Sequence, residues 1–392
     1  MAARVLRFFV VVACAVIASS AVGVTFELNS NKIYLPVKVN SKGPYSFVLD
    51  TGSVSNVLDA ERAKSLGIAA SGKSEARGAG KGSLPSSVGK NVDLSVDGAA
   101  MRKQNVEVLP INKAISFSEG RAVNGLLGSP FFERFVVEID YANNQVNFHE
   151  PGEFRYAGTA EPIPFELEHG NIFVRANVVL PNGEHVTGKF LIDTGWCAAF
   201  SFTSPFVRDH KLPAMTATIV AMAGVGIGGP VTHPIGRINA LEFGCYTIKN
   251  PVTDFSDATG GVLSQGDFTG IIGAEVLRRF SVIFDYPQRR MMLQPNAHFD
   301  EPYDFDMSGL YVTAEGKDFR TFKVYKVVIN SPADAAGVHE GDQIWAINNQ
   351  PASKFTLEQI RQMFRQDGKE YSLGILRGEN MVQTKLTTRR MI

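Results

Sequence analysis

Short stretches rich in β-branched residues recur along the chain and predict a protein built mainly from β-strands. Residues 33–39 and 172–179 are two such strands. Residues 42–44 and 181–183 contain the glycine and proline of tight turns between strands. Residues 58–66 instead space their apolar positions as a helix does and end at a glycine, a suitable C-cap. The pattern therefore predicts paired strands with few helices.

The strand pattern occurs twice, at an offset of about 143 positions. Phe-Val-Leu-Asp-Thr-Gly ends at Gly52, and Phe-Leu-Ile-Asp-Thr-Gly ends at Gly195. A Gly-apolar-apolar-Gly element follows in each copy and ends at Gly128 or at Gly273. Because the order of these elements is the same in both copies, we expect two duplicated all-β units, each of about domain size.

The N-terminus has the layout of a secretory leader. Arg4 and Arg7 precede an apolar run at 8–18, and small residues follow. We therefore predict a signal peptide over residues 1–23 and export to the periplasm or the extracellular space. An uncleaved membrane anchor is the alternative, although the run is shorter than the roughly 20 residues of a spanning helix.

Composition and charge narrow the range of partners. The 392 residues carry 39 Lys and Arg against 39 Asp and Glu, so no net charge attracts nucleic acid or an anionic membrane. Removal of the leader leaves only Cys197 and Cys245, which either form one disulfide or stay as buried thiols. The seven His residues show no metal-ligand spacing, and we expect neither a metal nor another cofactor.

The repeated Asp-Thr-Gly tripeptide places candidate catalytic carboxylates at Asp50 and Asp193. Two carboxylates held a few ångströms apart cannot both ionise cheaply, so such a pair shares a proton and titrates as a unit. The ionised member accepts a proton from a bound water, and the protonated member donates to a peptide carbonyl. The tripeptides therefore indicate peptide hydrolysis without a covalent intermediate.

The two tripeptides and the later glycine elements resemble the pepsin and retropepsin superfamily of aspartic proteases. The resemblance implies a mainly β, bilobal fold of two β-barrel lobes, at 24–155 and 156–297, around one cleft. It also implies that Asp50 and Asp193 are catalytic. The supporting residues of the catalytic loops are Thr51, Gly52, Ser53, Thr194 and Gly195, and the lobe glycine motifs end at Gly128 and Gly273.

The residues that follow the two tripeptides differ. Ser53 offers a hydroxyl to Asp50, whereas Trp196 offers no comparable donor close to Asp193. The expected dyad is therefore asymmetric. This asymmetry supports the alternative function, a catalytically inactive protease-like scaffold that only binds peptides.

Glycine-rich stretches at 78–82 and 224–229 are candidates for a flap over the cleft. A plain mobile surface loop is an equal alternative for the first stretch. Residues 67–74 satisfy the phosphate-loop pattern, but they follow a helical segment and precede a poor helix, which argues against nucleotide binding. Residues 224–229 also fit a dinucleotide pattern, which the prolines at 230 and 234 argue against.

From residue 308 to 392 the sequence resembles a PDZ domain, an α+β module that follows a linker at 298–307. Residues 331–338 match a helix of bacterial PDZ domains, and residues 341–348 match the tight turn and strand after it. The alternative is a packing domain that only braces the protease.

The resemblance to PDZ domains also implies a peptide-binding groove. Gly309, Leu310, Tyr311 and Val312 occupy the position of the carboxylate-binding loop, and the helix predicted at 356–364 forms the other wall. Such a groove takes an extended C-terminal peptide as an added strand. The sequence thus predicts an exported aspartic-type endopeptidase whose PDZ domain recruits or positions protein substrates.

Overall fold

The computed structural model describes residues 23–392. All but the last residue of the predicted leader lies outside the described residues. No helix within 23–392 is long and apolar enough to cross a membrane.

Most of the strands of lobe 1, which extends from β1 to β11, lie in one sheet around the first tripeptide. Its strands are β1 (Val24–Thr25), β2 (Glu27–Asn29), β3 (Lys32–Val39), β4 (Lys42–Leu49), β5 (Val57–Asp59), β6 (Ala70–Ala76), β7 (Leu84–Val96), β8 (Ala99–Leu109), β9 (Gly125–Leu127), β10 (Val136–Asp140) and β11 (Gln145–His149). Its helices are α1 (Ala60–Ser65), α2 (Ile111–Glu119) and α3 (Ser129–Arg134). Eight strands lie in the order β2-β3-β4-β9-β5-β8-β7-β6, and β3 also pairs with β7.

Lobe 2, which extends from β12 to β24, repeats this arrangement around the second tripeptide. Its strands are β12 (Ile163–Pro164), β13 (Glu166–Glu168), β14 (Asn171–Val179), β15 (His185–Asp193), β16 (Phe200–Phe202), β17 (Ile219–Gly226), β18 (Gly229–Arg237), β19 (Ala240–Phe243), β20 (Tyr246–Lys249), β21 (Val252–Phe255), β22 (Gly270–Gly273), β23 (Phe280–Asp285) and β24 (Arg290–Pro295). Its helices are α4 (Ser204–His210) and α5 (Ala274–Leu277), with short 3-10 turns at Leu212–Ala214 and Val262–Ser264. The main sheet has the order β17-β18-β21-β16-β22-β15-β14-β19-β20, and β13 pairs with β14.

A third sheet joins the two lobes. Its order is β1-β11-β10-β23-β24-β12, so strands from lobe 1 and lobe 2 lie in one six-stranded ladder. The junction is antiparallel, with Val137 opposite Phe284 and Ile139 opposite Val282. All four of these side chains are buried in a core that the two lobes share.

The local sequence explains why these elements form. On β3, Leu35, Val37 and Val39 are buried while Pro36 and Lys38 are exposed, the alternation of a strand with one face on a core. The helix predicted at 58–66 is shorter than expected, because β5 takes its first residues and α1 starts only after Asp59. The Asp59 side chain caps α1 by accepting from the amide of Arg62 at 3.1 Å.

The PDZ module comprises the last six strands and two helices. Its strands are β25 (Leu310–Glu315), β26 (Thr321–Val327), β27 (Gln343–Ile347), β28 (Gln350–Pro351), β29 (Glu370–Arg377) and β30 (Asn380–Thr387), and its helices are α6 (Pro332–Ala335) and α7 (Leu357–Phe364), with a 3-10 turn at Ala352–Lys354. β25 lies at the edge of the sheet. Thr356 and Gln359 form a capping box at the start of α7, where the sequence predicts the groove wall.

The connection between lobe 2 and the PDZ module is held by one buried cation. The Arg279 side chain is fully buried and donates to the carbonyls of His298, Glu301 and Pro302. Its guanidinium also lies 3.7 Å from the ring centroid of Tyr303. The predicted linker is therefore anchored to lobe 2 along this part of its length.

The prediction of a mainly β protein is confirmed. The lobes are built on sheets of eight and ten strands, and the barrel closure that the family resemblance implies stays a prediction. Cys197 and Cys245 are both free thiols, but Cys197 is half-buried and Cys245 is exposed, so the structure has neither the disulfide nor the two buried thiols that the sequence left as alternatives.

Candidate active site

Each Asp-Thr-Gly loop leaves the end of a strand that runs parallel to a glycine strand. Phe47 of β4 pairs with Gly125 of β9, and Phe190 of β15 pairs with Gly270 of β22. The two aspartates therefore emerge at equivalent edges of the two lobe sheets.

The last glycine of each lobe glycine motif packs closely against the backbone of the tripeptide loop in its own lobe. A Cβ atom on Gly128 would lie 2.5 Å from the carbonyl oxygen of Ser53, and one on Gly273 would lie 2.7 Å from that of Trp196. The residue after each glycine uses this close approach. The amide of Ser129 donates to the Ser53 carbonyl at 2.8 Å, and the amide of Ala274 donates to the Trp196 carbonyl at 2.7 Å. Only glycine fits at Gly128 and Gly273 without moving a loop.

The two threonines of the tripeptides exchange hydrogen bonds across the lobe boundary. The amide of each threonine donates to the hydroxyl of the other at 3.0 Å. The Thr51 hydroxyl then donates to the carbonyl of Ile192, and the Thr194 hydroxyl to that of Leu49, both at 2.8 Å. Both threonines are fully buried. This symmetrical set of bonds fixes the spacing of the two aspartates.

The structure brings the carboxylates of Asp50 and Asp193 together. Asp50 Oδ1 accepts from the amide of Gly52 at 2.9 Å, and Asp193 Oδ1 accepts from the amide of Gly195 at 2.8 Å. Each glycine also lies against the opposite carboxylate. A Cβ atom on Gly195 would be 2.5 Å from Asp50 Oδ1, and one on Gly52 would collide with the Asp193 carboxylate. Glycine is therefore required on both sides for the pair to approach.

Burial and mutual repulsion give the pair its proton affinity. Burial raises the pKa of Asp193 well above its ordinary value, and the charge of Asp50 raises it further. Burial also raises the pKa of Asp50, against the opposing effects of the Gly52 amide and the charge of Lys32. Two neighbouring carboxyls with raised pKa values hold one proton between them more readily than isolated carboxyls do.

Ser53 does not make the predicted contact with Asp50. Its hydroxyl donates to the carbonyl of Ser55 at 2.8 Å. Its amide points back to the Asp50 carbonyl at 3.3 Å, which closes the turn. The tight turn thus directs the hydroxyl along the loop instead of toward the carboxylate.

Trp196 is directed away from Asp193 by a hydrogen-bonded chain that the sequence does not reveal. Its indole Nε1 donates to Ser201 Oγ at 2.8 Å, and Ser201 Oγ donates to Asp254 Oδ2 at 2.7 Å. Asp254 is buried, and this burial raises its pKa to about 6. The bulky ring therefore forms part of the cleft wall and leaves the space between the two carboxylates open.

A second buried cluster beside the site also escapes the sequence analysis. Lys32 Nζ lies 2.5 Å from Glu119 Oε1, and the Tyr34 hydroxyl donates to Glu119 Oε2 at 2.6 Å. Burial opposes ionisation of Glu119, but the charge of Lys32 and these hydrogen bonds hold its pKa below the ordinary value. Lys32 is 87 residues from Glu119 in sequence, so spacing alone gives no sign of the pair.

The two predicted flap stretches meet each other. β17 and β18 form a hairpin whose turn approaches the loop between β6 and β7. The amide of Gly80 donates to the carbonyl of Ile227, and that of Gly82 to Gly228, both at 2.9 Å. Both stretches line a cleft of about 1540 Å³ that also contains Asp50 and Asp193. The first stretch is therefore tied to the second across the cleft.

Neither nucleotide-binding pattern is followed by the helix that a phosphate-binding loop requires. Residues 70–76 form strand β6, so no helix begins after the phosphate-loop pattern. Residues 224–229 form the end of a strand, a turn and the start of the next strand.

The predicted carboxylate-binding loop of the PDZ module is filled by the chain itself. Asp306 Oδ1 accepts from the amides of Ser308 at 3.0 Å and Gly309 at 2.6 Å. The amide of Leu310 donates to Ser308 Oγ at 3.0 Å. This loop differs from the expected open site because an internal carboxylate satisfies its donors.

The rest of the predicted groove contacts lobe 1. The Tyr311 hydroxyl lies 2.6 Å from Ser118 Oγ, at the end of α2. Arg361 of α7 donates to the carbonyl of Val312 at 3.2 Å and to that of Ser118 at 2.8 Å. The PDZ module is thus joined to the lobe that carries Asp50.

Comparison with known families identifies two parts of the chain. Residues 35–131 match the aspartyl protease family, and residues 309–376 match the PDZ domain family. The suspected relationship to aspartic proteases with a C-terminal PDZ domain is thereby confirmed. No curated protein matches the chain.

Two solved structures match part of the chain. A photosystem II D1 C-terminal processing protease is 19% identical over 22% of this chain and 23% of its own, with a TM-score of 0.20. An aminopeptidase N family protein from Idiomarina loihiensis is 20% identical over 24% of this chain and 15% of its own, also with a TM-score of 0.20. The chain therefore spans less than a quarter of either structure, and these matches support no conclusion about fold or function.

Proposed function

We propose, from an aspartyl protease domain and a PDZ domain in one chain, that the protein is an aspartic-type endopeptidase. The observation that carries this proposal is the approach of the Asp50 and Asp193 carboxylates across the bonded threonines. Such a close pair of carboxyls is the arrangement that activates water for attack on a peptide carbonyl.

The environment assigns each carboxylate a part in the reaction. Asp193, whose pKa is raised well above the ordinary value, holds the shared proton and donates it to the carbonyl oxygen. The charge of Lys32 favours the ionised form of Asp50, which accepts a proton from the attacking water. As the carbon–nitrogen bond of the resulting diol breaks, the proton on Asp50 passes to the leaving amine. The proton of one diol hydroxyl returns to Asp193 as the carbonyl of the product acid forms, which restores the singly protonated pair. Atoms and charges balance without a cofactor.

The cleft and its cover suit an extended polypeptide. The volume of about 1540 Å³ exceeds what a small metabolite fills, and the facing hairpin and loop lie over the dyad. Opening of the contacts between Gly80 and Ile227 admits the substrate, and their closure excludes water other than the nucleophile.

The PDZ module and the N-terminal sequence extend this proposal. A PDZ domain implies peptide binding, and we assign it the recruitment or positioning of protein substrates. The cationic and apolar layout of residues 1–18 supports export to the periplasm or the extracellular space.

Cleavage of a denatured protein by the purified chain tests the catalytic part of the proposal. We expect Asp50→Asn and Asp193→Asn each to lower kcat by about a thousandfold or more, since each removes an essential acid or base. The amide side chain can still accept from Gly52 or Gly195, so the loop keeps its shape.

Asp267→Asn is the matched control, because Asp267 is exposed and lies outside the dyad. It should retain wild-type activity. Unchanged turnover by either dyad variant would refute the shared-proton mechanism. A wild-type chain that binds peptides but cuts none at any pH would instead establish the non-catalytic scaffold.

A further inference from the structure

The PDZ groove of this chain lacks the free donors that a C-terminal carboxylate needs. In a carboxylate-binding loop, consecutive backbone amides point at the terminal group of the ligand. Here the amides of Ser308 and Gly309 both donate to Asp306 Oδ1. The amide of Leu310 donates to Ser308 Oγ, and this hydroxyl itself donates to Asp306 at 2.8 Å.

The charge of Asp306 also opposes the binding of a C-terminal carboxylate in this loop. Burial raises the pKa of Asp306 to about 6, so at neutral pH the side chain is ionised within the loop. A second carboxylate entering the same loop would meet like charge in a partly dehydrated site. It would have to displace Asp306 from three donors before it gained any of its own.

The edge strand of the groove is also interrupted. The carbonyl of Val312 on β25 accepts from Arg361, so this position is not free to pair with an added strand. Arg361 also donates to the carbonyl of Ser118 at the end of α2. Gly120, just after α2, also lies against Leu357 of α7, so lobe 1 covers the groove beyond Tyr311. A chain that enters at the loop end of the groove has to turn away from β25 there.

The surrounding cleft gives such a chain a path toward the dyad. Gly309 and Leu310 line the same continuous cleft as Asp50 and Asp193. The lining of this cleft also includes Ser118, Glu119, Lys32 and Cys197, which come from lobe 1 and from the loop after Asp193. The same cleft is also lined by residues 328–330 and 389–391, so the space at the loop is wider than the loop itself.

We propose that the PDZ groove binds an internal, extended segment of an unfolded polypeptide rather than a free C-terminus, and that the same polypeptide continues into the catalytic cleft. The second half rests on the proposed peptidase function. The first half concerns binding alone and does not.

Peptide pools with matched ends test the binding. The full-length Asp50→Asn chain is mixed at neutral pH with dye-labelled random-sequence peptides that end either in a free carboxylate or in a carboxamide. We expect the two pools to be retained within about twofold of each other, since neither end gains a hydrogen bond in the loop. A PDZ groove that reads C-termini loses about tenfold or more on amidation, because it loses charge-assisted hydrogen bonds.

Removal of the Asp306 carboxylate should have the opposite effect and create a preference for peptides with a free C-terminus. In Asp50→Asn/Asp306→Ala the loop amides are released, and the free-acid pool should now bind about tenfold better than the carboxamide pool. Asp50→Asn/Asp318→Ala is the matched control, because Asp318 is exposed in the turn between β25 and β26 and accepts from the amide of Arg320, not from the loop amides. This control should show no preference for either end.

The outcomes separate the two proposals. A tenfold preference for free acids with Asp306 in place, or no binding of either pool, would overturn the internal-segment proposal even if the Asp306→Ala chain failed to fold. Equal binding of both pools, with no cleavage of either by the wild-type chain, would refute the peptidase function and leave internal recognition standing.

Discussion

Asp254 is a buried carboxyl that never touches the dyad yet fixes the wall beside it. It accepts from Ser201, which in turn accepts from Trp196, so one carboxylate orients the residue three positions after Asp193. Ser201 and Asp254 lie opposite each other on neighbouring parallel strands β16 and β21. The contact between Ser201 and Asp254 depends on the register of the two strands. The orientation of the Trp196 ring depends in turn on this contact.

Ionisation of Asp254 makes the stability of the protein depend on pH. Its pKa in the folded chain is about 6, compared with an ordinary value of 3.8. The folded state therefore binds a proton more tightly than the unfolded state does. The resulting stabilisation is fully present below 3.8 and is lost as the pH rises through about 6.

Asp254→Asn removes this dependence, because an amide accepts from Ser201 without ionising. Relative to the variant, we expect the wild-type chain to lose on the order of 3 kcal/mol of unfolding free energy as the pH rises through this range. Chemical denaturation of both proteins at several pH values measures the difference. Asp267→Asn, at an exposed carboxyl, should follow the wild type, and parallel curves for Asp254→Asn and wild type would contradict the prediction.

At the scale of single elements, the cover over the cleft consists of two unlike parts. One is the regular hairpin of β17 and β18, and the other is the irregular loop between β6 and β7. They meet through glycine backbones, since a Cβ atom on Gly80 would collide with the backbone of Gly228. The two backbones bond directly at Gly80 and Gly82, and the side chains of Ala79 and Ile227 pack against the facing glycines.

Gly80→Ala should hold the cover open. The added methyl group prevents the Gly80 amide from reaching the Ile227 carbonyl, so we expect kcat/KM to fall by about tenfold. Gly224→Ala is the control on the facing hairpin, because a Cβ atom there meets no atom within 4 Å. Equal activity of the two variants would show that closure contributes nothing to catalysis.

Some elements of the fold can be predicted from their local sequence, and others cannot. The repeated Asp-Thr-Gly strands and the glycine motifs are visible because both copies need glycine at the same close approaches, as at Gly128 and Gly273. The capping box formed by Thr356 and Gln359 likewise predicts the start of α7 from four consecutive residues. These features depend on local geometry and leave a local pattern.

The remaining features depend on contacts between distant parts of the chain. Lys32 meets Glu119, and Trp196 meets Asp254 through Ser201, only once the sheets have formed. Asp306 is close in sequence to the loop that it fills, but an acidic residue before a PDZ loop gives no sign of its orientation. The family resemblance implied an open loop here, and the orientation of one side chain closes it.

At the scale of the whole molecule, the PDZ module is fastened to lobe 1 by a small set of polar contacts. Arg361 bonds to Ser118 and to Ser30, and the Ser30 hydroxyl also donates to Glu358. A Cβ atom on Gly120 would lie 2.6 Å from Cβ of Leu357, so the end of α2 lies directly against α7. Helix α7 and lobe 1 therefore move as one unit while these bonds persist.

Arg361→Ala should loosen this attachment. It leaves the carbonyls of Ser118 and Val312 without a donor, at a cost of about 1–3 kcal/mol. We expect faster hydrogen exchange in α2 and α7 and a lower melting temperature for the PDZ module. Lys323→Ala removes only a surface ion pair with Glu315, and it should cost less than about 1 kcal/mol. Identical exchange in the two variants would show that Arg361 does not hold the modules together.

The six-stranded sheet that β10 and β23 join makes the pairing of Asp50 with Asp193 independent of protein concentration. Two identical subunits that share a dyad must find each other in solution, and any substitution in one appears in both. Here each half has its own codons, so the two sides are free to diverge, as Ser53 and Trp196 have done. Dilution cannot separate the halves, and a substitution in one half leaves the other half unchanged.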